Sequence, residues 1–198
     1  MQLSQKQIFN RIFKDLSGFS IPKNEEALIK QSKGDPLYGE ITLASMDKIL
    51  KKFNLKEDDN FYDLGSGVGK FIIYASVNSN IKKAIGIELS ISRHEEANIA
   101  FKRALEFFPQ IKNKCKFLNQ DILTATIQKP SVIYTCSTAF SNKFMKELIA
   151  KLALIKNSFY LVSLQELPKN STFILDEIMK LDMTWVRKTP VHIYKKVS

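Results

Sequence analysis

The 198-residue chain contains 44% apolar and 11% aromatic residues, which is enough to bury the core of one domain. No apolar run approaches the roughly 20 residues that a membrane-spanning helix needs, and the N-terminus lacks the apolar stretch of a signal peptide, so we expect a cytoplasmic protein without membrane contact. The net charge of +10 leaves a nucleic-acid partner open, although nearly all the positive charge is scattered lysine, whereas phosphate and base recognition favours arginine.

The N-terminal part of the chain predicts a short helix followed by a loop. Apolar residues recur at helical spacing within 4–16, and Ser4 is placed to cap that helix. Ser, Gly, Asp and Pro cluster within 31–36, which indicates a loop. We therefore expect an N-terminal helical extension over 1–34 and one ligand-binding domain over 35–198.

From residue 42 onward, helical and strand-like patterns alternate, which is typical of a doubly wound α/β fold with a mostly parallel sheet. The predicted helices are 42–53, 70–77, 93–108 and 142–154, and the predicted strands are 61–64, 84–89, 116–119, 132–136 and 159–164. The chain ends differently, because strand-like runs at 183–188 and 191–197 are joined only by Thr189 and Pro190, which predicts a terminal antiparallel hairpin.

The two cysteines, Cys115 and Cys136, fall at or beside different predicted strands. With only two cysteines, placed at or beside different strands, neither a disulfide framework nor a metal cluster is available. We therefore expect no metal ion in this protein.

A glycine-rich loop connects the first predicted strand to the following helix. Gly65, Gly67 and Gly69 permit positive backbone dihedrals and a close approach of a ligand to the main chain. Only one residue separates the last two glycines, whereas the NAD fingerprint has two there, and the Gly-Lys-Ser/Thr ending of a P-loop is missing. The loop therefore predicts a cofactor other than NAD or a nucleoside triphosphate.

Carboxylates stand at or just after the carboxyl ends of three successive predicted strands. Asp63 precedes the loop, where it can accept hydrogen bonds from a ligand ammonium group, and Glu88 ends the next strand, where it can chelate two ribose hydroxyls. Asp121 follows the third strand, where it can accept from an adenine amine while Ile122 packs on the ring, although an acid at such a place is also a common turn cap. Together they predict S-adenosylmethionine as the cofactor.

At this point the sequence resembles a known family. Tyr38-Gly39-Glu40 ahead of a helix, followed by the loop 63–69 and by Glu88, is similar to the non-SET histone lysine methyltransferases called disruptor of telomeric silencing and their small prokaryotic relatives. The resemblance covers about 35–197 and implies that 38–42 closes over the methionine part of the cofactor. The cofactor-binding residues that we predict are Tyr38, Gly39, Glu40, Thr42, Asp63, Leu64, Gly65, Ser66, Gly67, Gly69, Glu88, Leu89, Asp121 and Ile122.

The same resemblance places the acceptor site at 131–140 and in the terminal hairpin. Cys136 and Ser137 stand where eukaryotic members carry paired asparagines, and Phe140 matches an aromatic residue of their lysine channel. In the family, a tyrosine of the terminal hairpin faces that channel. The aligned residue here is Ile193, and we assign the role to its neighbour Tyr194. We predict Cys136, Ser137, Phe140 and Tyr194 as catalytic. Two alternatives remain: Phe140 and Trp185 could be ordinary core residues, and Cys136 could be an inert buried thiol.

These observations predict a Rossmann-like class I methyltransferase that transfers a methyl group from S-adenosylmethionine to a protein lysine and acts as a monomer. Deprotonating that lysine from its ordinary pKa near 10.4 costs about 4.6 kcal/mol at pH 7, and an apolar aromatic channel lowers the cost, so neither histidine is required as a base. Two alternatives stay open: a methyltransferase of nucleic acid or a small molecule, and a cofactor-binding protein with little catalysis.

Overall fold

The computed structural model describes residues 3–32 and 36–197, which form helices on both faces of one sheet. The helices are α1 (Gln5–Ile12), α2 (Lys23–Gln31), α3 (Leu43–Phe53), α4 (Lys70–Asn78), α5 (Ile91–Phe107) and α6 (Asn142–Ala153). The strands are β1 (Asn60–Leu64), β2 (Lys83–Glu88), β3 (Cys115–Asn119), β4 (Val132–Thr135), β5 (Phe159–Ser163), β6 (Phe173–Leu181) and β7 (Thr189–Lys196). Short 3-10 turns lie at Pro109–Ile111 and Ser137–Ala139.

The described residues form a seven-stranded sheet in the order β3-β2-β1-β4-β5-β7-β6. The first five strands pair in parallel, and β7 pairs antiparallel with both β5 and β6. The chain runs outward from β1 on both sides, and ligands of open α/β sheets bind at such a reversal of strand order. The predicted α/β fold with a terminal hairpin is confirmed.

Two apolar clusters fill the space between the sheet and its helices. Phe61 and Tyr134 belong to the cluster beneath α3 and α4, whereas Leu64 and Ile133 belong to the cluster beneath α6. Alternate residues of each strand thus point to opposite faces, and both faces are buried, as expected for a parallel sheet. Asp63 lies on the α4 face, between Phe61 and the glycine loop.

The N-terminal helix begins as predicted but ends earlier. Ser4 caps α1 through a reciprocal capping box with Gln7, and Phe13, rather than Leu16, ends the helix. Phe9 and Ile12 pack into the same cluster as Phe61. The division of the chain at residue 34 stays a prediction, and part of the loop predicted at 31–36 lies outside the described residues.

The hairpin is correct in kind but its first strand was predicted in the wrong place. That strand is β6, at Phe173–Leu181, and the run 183–188 forms the connection to β7, which already includes Thr189 and Pro190. As an edge strand, β6 leaves most of its side chains exposed, and a bulge between Leu175 and Glu177 interrupts its alternation. An exposed, bulged edge strand shows no clear period-two pattern, so the sequence pointed to the neighbouring apolar run instead.

Helix α2 was not predicted. Its segment, Lys23–Gln31, has Glu25 and Glu26 in the first turn and follows Pro22, but it offers few apolar positions.

Over residues 3–32 and 36–197, no helix is long and apolar enough to cross a membrane.

Candidate functional site

The glycine loop makes a tight turn from β1 into α4. Gly65, Gly67 and Gly69 have φ angles of 84°, 53° and 79°, a backbone region that residues other than glycine rarely adopt. The backbone N–H groups of Gly65 and Ser66 donate to the carbonyl of Ile87, which ties the loop to β2. Gly69 precedes α4 directly, so the predicted strand-loop-helix unit is confirmed.

Asp63 ends up under this loop as a buried carboxylate, only 4% exposed. Within the described residues, its Oδ1 atom has no hydrogen-bond partner. Burial, and next the charge of Glu88, raise the pKa of Asp63 well above its usual value. A buried acid without a partner for one oxygen is a site that a cationic ligand group would satisfy.

Glu88 and Asp121 stand at the ends of β2 and β3, on the same edge of the sheet. Glu88 accepts hydrogen bonds from the N–H groups of Gly67 at 2.8 Å and Ser90 at 2.9 Å, one on each carboxylate oxygen, and each oxygen retains capacity for a ligand hydroxyl. Asp121 accepts from the N–H of Leu123 at 2.7 Å. Asp121 is therefore a turn cap, the alternative raised above, and it also lines the cavity described next.

A cavity of about 420 Å³ opens above these strand ends. It is large enough for a small organic ligand and mixes polar groups with apolar walls, which is typical of cofactor sites. Its lining residues are Ile29, Ser32, Leu37, Tyr38, Gly39, Gly65, Glu88, Leu89, Arg93, Asp121, Ile122, Cys136, Thr138, Ala139, Phe140, Phe144 and Trp185.

The segment Tyr38-Gly39-Glu40, called the Tyr38 loop from here on, closes one side of the cavity. The Tyr38 ring packs so closely on the loop that a Cβ built on Gly67 would lie 2.4 Å from a ring carbon. The Arg93 guanidinium lies 4.9 Å from the ring centre, and the Tyr38 hydroxyl donates to Glu40 at 2.8 Å. Glu40 also forms an ion pair with Lys70, so the loop is attached to the start of α4.

Some predicted cofactor residues contribute from behind the cavity rather than along its wall. Leu64 is fully buried in the core, and Ser66 packs against Gly86 of β2. Thr42 caps α3 through the N–H of Ser45 and also donates to the carbonyl of Asp182. These three residues support the loops that border the cavity.

The opposite wall is formed by the turn after β4. Phe140 and Phe144 lie there with ring centres 4.5 Å apart, and Cys136 faces the same space. Burial raises the pKa of the Cys136 thiol to about 11, which keeps the thiol neutral near pH 7. The wall is therefore apolar and uncharged.

Ser137 and Tyr194, both predicted as catalytic, lie behind this wall. The Ser137 hydroxyl is 2.8 Å from that of Ser163 and accepts from the N–H of Gln165 at 2.9 Å. Tyr194 is buried under α6, and its hydroxyl accepts from the N–H of Leu167 at 3.0 Å. Neither residue lines the cavity, so their catalytic role stays a prediction.

Comparison with known proteins identifies the family. The family model described as Histone methylation protein DOT1 matches residues 19–195, which includes the Tyr38 loop, the glycine loop and the terminal hairpin. The chain belongs to the DOT1 family. The resemblance noted from a few motif residues is thereby confirmed along most of the chain.

Relatives within this family are lysine methyltransferases by name. A Caenorhabditis elegans histone-lysine N-methyltransferase, H3 lysine-79 specific, is 28% identical over 142 residues, which is 67% of this chain and 15% of that protein. A protein-lysine N-methyltransferase from Saccharolobus islandicus is 29% identical over 112 residues, or 57% of this chain and 70% of that protein. This DOT1-family chain thus spans a small part of the worm relative's length.

Solved structures agree with the fold. TrmN from Thermus thermophilus has a TM-score of 0.61 at 15% identity, covering 79% of this chain and 49% of that one. Magnesium protoporphyrin IX methyltransferase from Synechocystis, solved with bound S-adenosylmethionine, has a TM-score of 0.57 at 15% identity, covering 97% and 90% of the two chains. The DOT1-family chain therefore has the Rossmann-like fold of class I methyltransferases.

Several cavity residues of this DOT1-family chain were not predicted as part of the site. Ile29 comes from α2 and Ser32 caps its C-terminus, Arg93 comes from the start of α5, and Trp185 comes from the turn before β7. Trp185 is 48% exposed and packs on Gly39, so the alternative that made it a core residue is wrong. Its signal in the sequence was a tryptophan within the run 183–188, which the structure makes the connection between β6 and β7.

Proposed function

We propose that this chain is an S-adenosylmethionine-dependent methyltransferase that modifies a lysine side chain of a protein. The observation that supports it best is one cavity, in a DOT1-family chain, with Gly65 and Glu88 on one side and Phe140 and Phe144 on the other. Such a cavity suits a cofactor at the strand ends and an amine in the apolar part. The proposal includes a protein substrate, a monomeric state and a cytoplasmic location.

The residues under the glycine loop fit the cofactor. The Asp63 carboxylate is only 4% exposed, and a carboxylate can accept several hydrogen bonds, so an ammonium group of the cofactor would donate to it. Glu88 would hold the ribose hydroxyls, and Asp121 with Ile122 would hold the adenine. When bound, S-adenosylmethionine supplies a methyl group on a positively charged sulfur.

The opposite wall has the properties that a lysine acceptor requires. Phe140 and Phe144 remove water from around the amine, which disfavours its charged form. At the ordinary lysine pKa near 10.4, the neutral amine costs about 4.6 kcal/mol at pH 7, so an apolar wall contributes directly to the rate. Cys136, neutral with a pKa of about 11, adds no charge that would offset this effect.

The turn after β4 keeps this wall in place without the family's paired asparagines. Ser137 forms a hydrogen-bonded chain with Ser163 and Gln165, and the Gln165 side chain donates to the carbonyl of Phe140 at 3.1 Å. These contacts position Phe140 beside the glycine loop, where its ring lies 3.7 Å from a Cβ built on Gly65. We propose that Ser137 acts by this support of the wall and that the acceptor amine contacts Cys136 and Phe140.

The test is methyl transfer from labelled S-adenosylmethionine to a mixture of basic proteins, followed by mass spectrometry of the labelled peptides. Asp63→Asn removes the buried charge without changing the shape of the side chain. Asp58→Asn, at an exposed position just before β1, is the matched control. We expect label on lysine with the wild type and the control, and loss of at least nine-tenths of it with Asp63→Asn.

Other outcomes would revise the proposal in a defined way. Label in nuclease-sensitive material would make the chain a nucleic-acid methyltransferase, which is the alternative that its charge left open. Tight cofactor binding without any transfer would make it a binding protein. Equal labelling by Asp63→Asn and the wild type would refute the assignment of the cofactor site.

A further inference from the structure

A second, much smaller chamber lies under the cofactor cavity. It measures about 30 Å³ and lies between the sheet, Phe71 of α4 and the Tyr38 loop. Asp63 and Tyr134 line it from the sheet, and Met46 and Lys70 line it from the helices. Because a water molecule needs about 10–15 Å³ of such space, the chamber has room for at least one.

Unpartnered polar atoms occur at this chamber. The Oδ1 atom of Asp63 and the hydroxyl of Tyr134 are both buried and, over the described residues, lack an oxygen or nitrogen partner, as does the Ser66 hydroxyl. The Tyr134 hydroxyl has only the Cys136 thiol, a weak hydrogen-bonding group, beside it. Asp63 and Tyr134 are also direct neighbours in the parallel register of β1 and β4, so their side chains stand on the same face about 4.8 Å apart at the backbone. Nearly all buried polar groups have a partner, and one small polar molecule would satisfy both.

Tyr134 is held firmly in this position. Its ring is fully buried and contacts the ring of Phe71 edge to face, with centres 4.9 Å apart. Burial, followed by the nearby Cys136 and Asp63, raises the pKa of Tyr134 well above its usual value. The hydroxyl therefore stays protonated near pH 7, where it can act as a hydrogen-bond donor.

We propose that this chamber binds an ordered water molecule between the Tyr134 hydroxyl and Asp63, and that Tyr134 is a positioning residue for the cofactor-binding carboxylate. The water accepts from Tyr134 and donates to the Oδ1 atom of Asp63. The inference rests on the proposed function, because it assigns Asp63 to the cofactor ammonium. It adds a residue that no part of the cofactor motif contains.

The consequence is a control on the charge of Asp63. Burial, and then Glu88, raise the pKa of this acid, whereas each hydrogen bond donated to the carboxylate lowers it. The other titratable or charged groups around the chamber are Tyr38, Glu40, Lys70 and Cys136. Lys70 is paired with Glu40 and the Cys136 thiol is neutral near pH 7, so the bridged hydroxyl of Tyr134 is the nearby group that favours the charged acid.

The test compares Tyr134→Phe with the wild type in calorimetric titrations with S-adenosylmethionine between pH 5 and pH 9. Removing the hydroxyl removes a donor and raises the pKa of Asp63. Binding of the ammonium needs the ionised acid, so the acid limb of the affinity profile should move to higher pH by about one unit, which is a tenfold loss of affinity below the limb. At pH values well above this acid limb, the affinity for S-adenosylmethionine should change little.

Tyr62→Phe is the matched control. Tyr62 is the neighbouring residue of β1, on the opposite face, and its hydroxyl donates to the carbonyl of Gln128 at 3.1 Å. This variant loses the same hydroxyl group from β1, the strand that carries Asp63, and should keep the wild-type pH profile. A shift of equal size in both variants would show a structural effect and would overturn the positioning role.

Two further results separate the inference from the proposed function. A wild type that binds, with an unchanged profile in Tyr134→Phe, would overturn the inference alone. A wild type that binds no S-adenosylmethionine at any pH would overturn both. A high-resolution crystal structure with the cofactor should show the water between Tyr134 and Asp63, and a cofactor nitrogen in its place would refute the water bridge.

Discussion

The contact between Tyr38 and the glycine loop can be tested with one methyl group. In Gly67→Ala, the new Cβ would lie 2.4 Å from a carbon of the Tyr38 ring, and the alanine would sit at a φ of 53°. Gly65→Ala is the matched variant, since its φ is 84° but its nearest neighbour, Phe140, is 3.7 Å away. Both variants carry backbone strain, and only Gly67→Ala adds a clash.

The magnitudes follow from these two contributions. An alanine in the left-handed region costs about 1–2 kcal/mol, and an overpacked contact costs about 1–3 kcal/mol more. Replacing glycine by alanine also makes the unfolded chain less flexible, which stabilises both variants equally and therefore cancels in the difference between them. Gly67→Ala should therefore be less stable than Gly65→Ala by about 1–3 kcal/mol, and each kcal/mol lowers the melting temperature of a domain of this size by about 2–4 °C.

The assay is urea denaturation without cofactor, monitored by circular dichroism. Adding Tyr38→Ala to each glycine variant completes a double-mutant cycle. It should abolish the difference in unfolding free energy between the two variants, because the clash has no partner left. Equal stabilities of Gly67→Ala and Gly65→Ala, with Tyr38 in place, would refute the packing of this ring on the loop.

Three further predictions concern single titratable groups in or beside the site. Glu88→Gln should weaken S-adenosylmethionine binding by roughly 10- to 100-fold, since hydrogen bonds to a charged group contribute about 1.5–3 kcal/mol; an unchanged Kd in calorimetry would contradict the ribose assignment. Burial acts to raise the pKa of Glu25, but hydrogen bonds from Ser90 and Ser92 outweigh burial and lower the pKa below 4.5. The variant Glu25→Gln should therefore lose about 1–3 kcal/mol of stability at pH 7. This difference should shrink as the pH falls below 4.5 and through the folded-state pKa, and a difference that stays constant down to pH 3 would count against the linkage. Cys136, whose pKa rises from 9.0 to about 11, should be alkylated roughly 100-fold more slowly in the folded protein than in urea, as followed by peptide mass spectrometry, and equal rates would show that the thiol is not buried.

The glycine loop and the acids around it were predictable because their chemistry depends on short stretches of chain. The positive φ angles of Gly65, Gly67 and Gly69 follow from a turn that leads a strand directly into a helix. Glu88 comes one strand-helix-strand unit after Asp63, and that spacing places both at the same edge of a parallel sheet. The order and spacing of these residues thus predicted the fold class, which the structure confirms, and the place of the proposed cofactor site.

Tertiary packing decided which side chains of the acceptor region face the cavity. Ser137 and Phe140 are three residues apart in one turn, yet Phe140 lines the cavity while Ser137 turns inward to Ser163 of a neighbouring strand. Tyr194 lies on the face of β7 that packs beneath α6. Sequence spacing could not show this, because the choice depends on partners that other strands supply.

The remaining differences have the same origin. Helix α2 reaches the cavity because Glu25 bonds to Ser90 and Ser92 at the start of α5, and Trp185 reaches it because Gly39 leaves room for its ring. The sequence by itself determined the alternating α/β order and the glycine loop, because the geometry of that loop is local. Only the tertiary structure decided how α2, the Tyr38 loop and the hairpin turn enclose the site, because contacts between distant segments depend on the surfaces that the whole fold brings together.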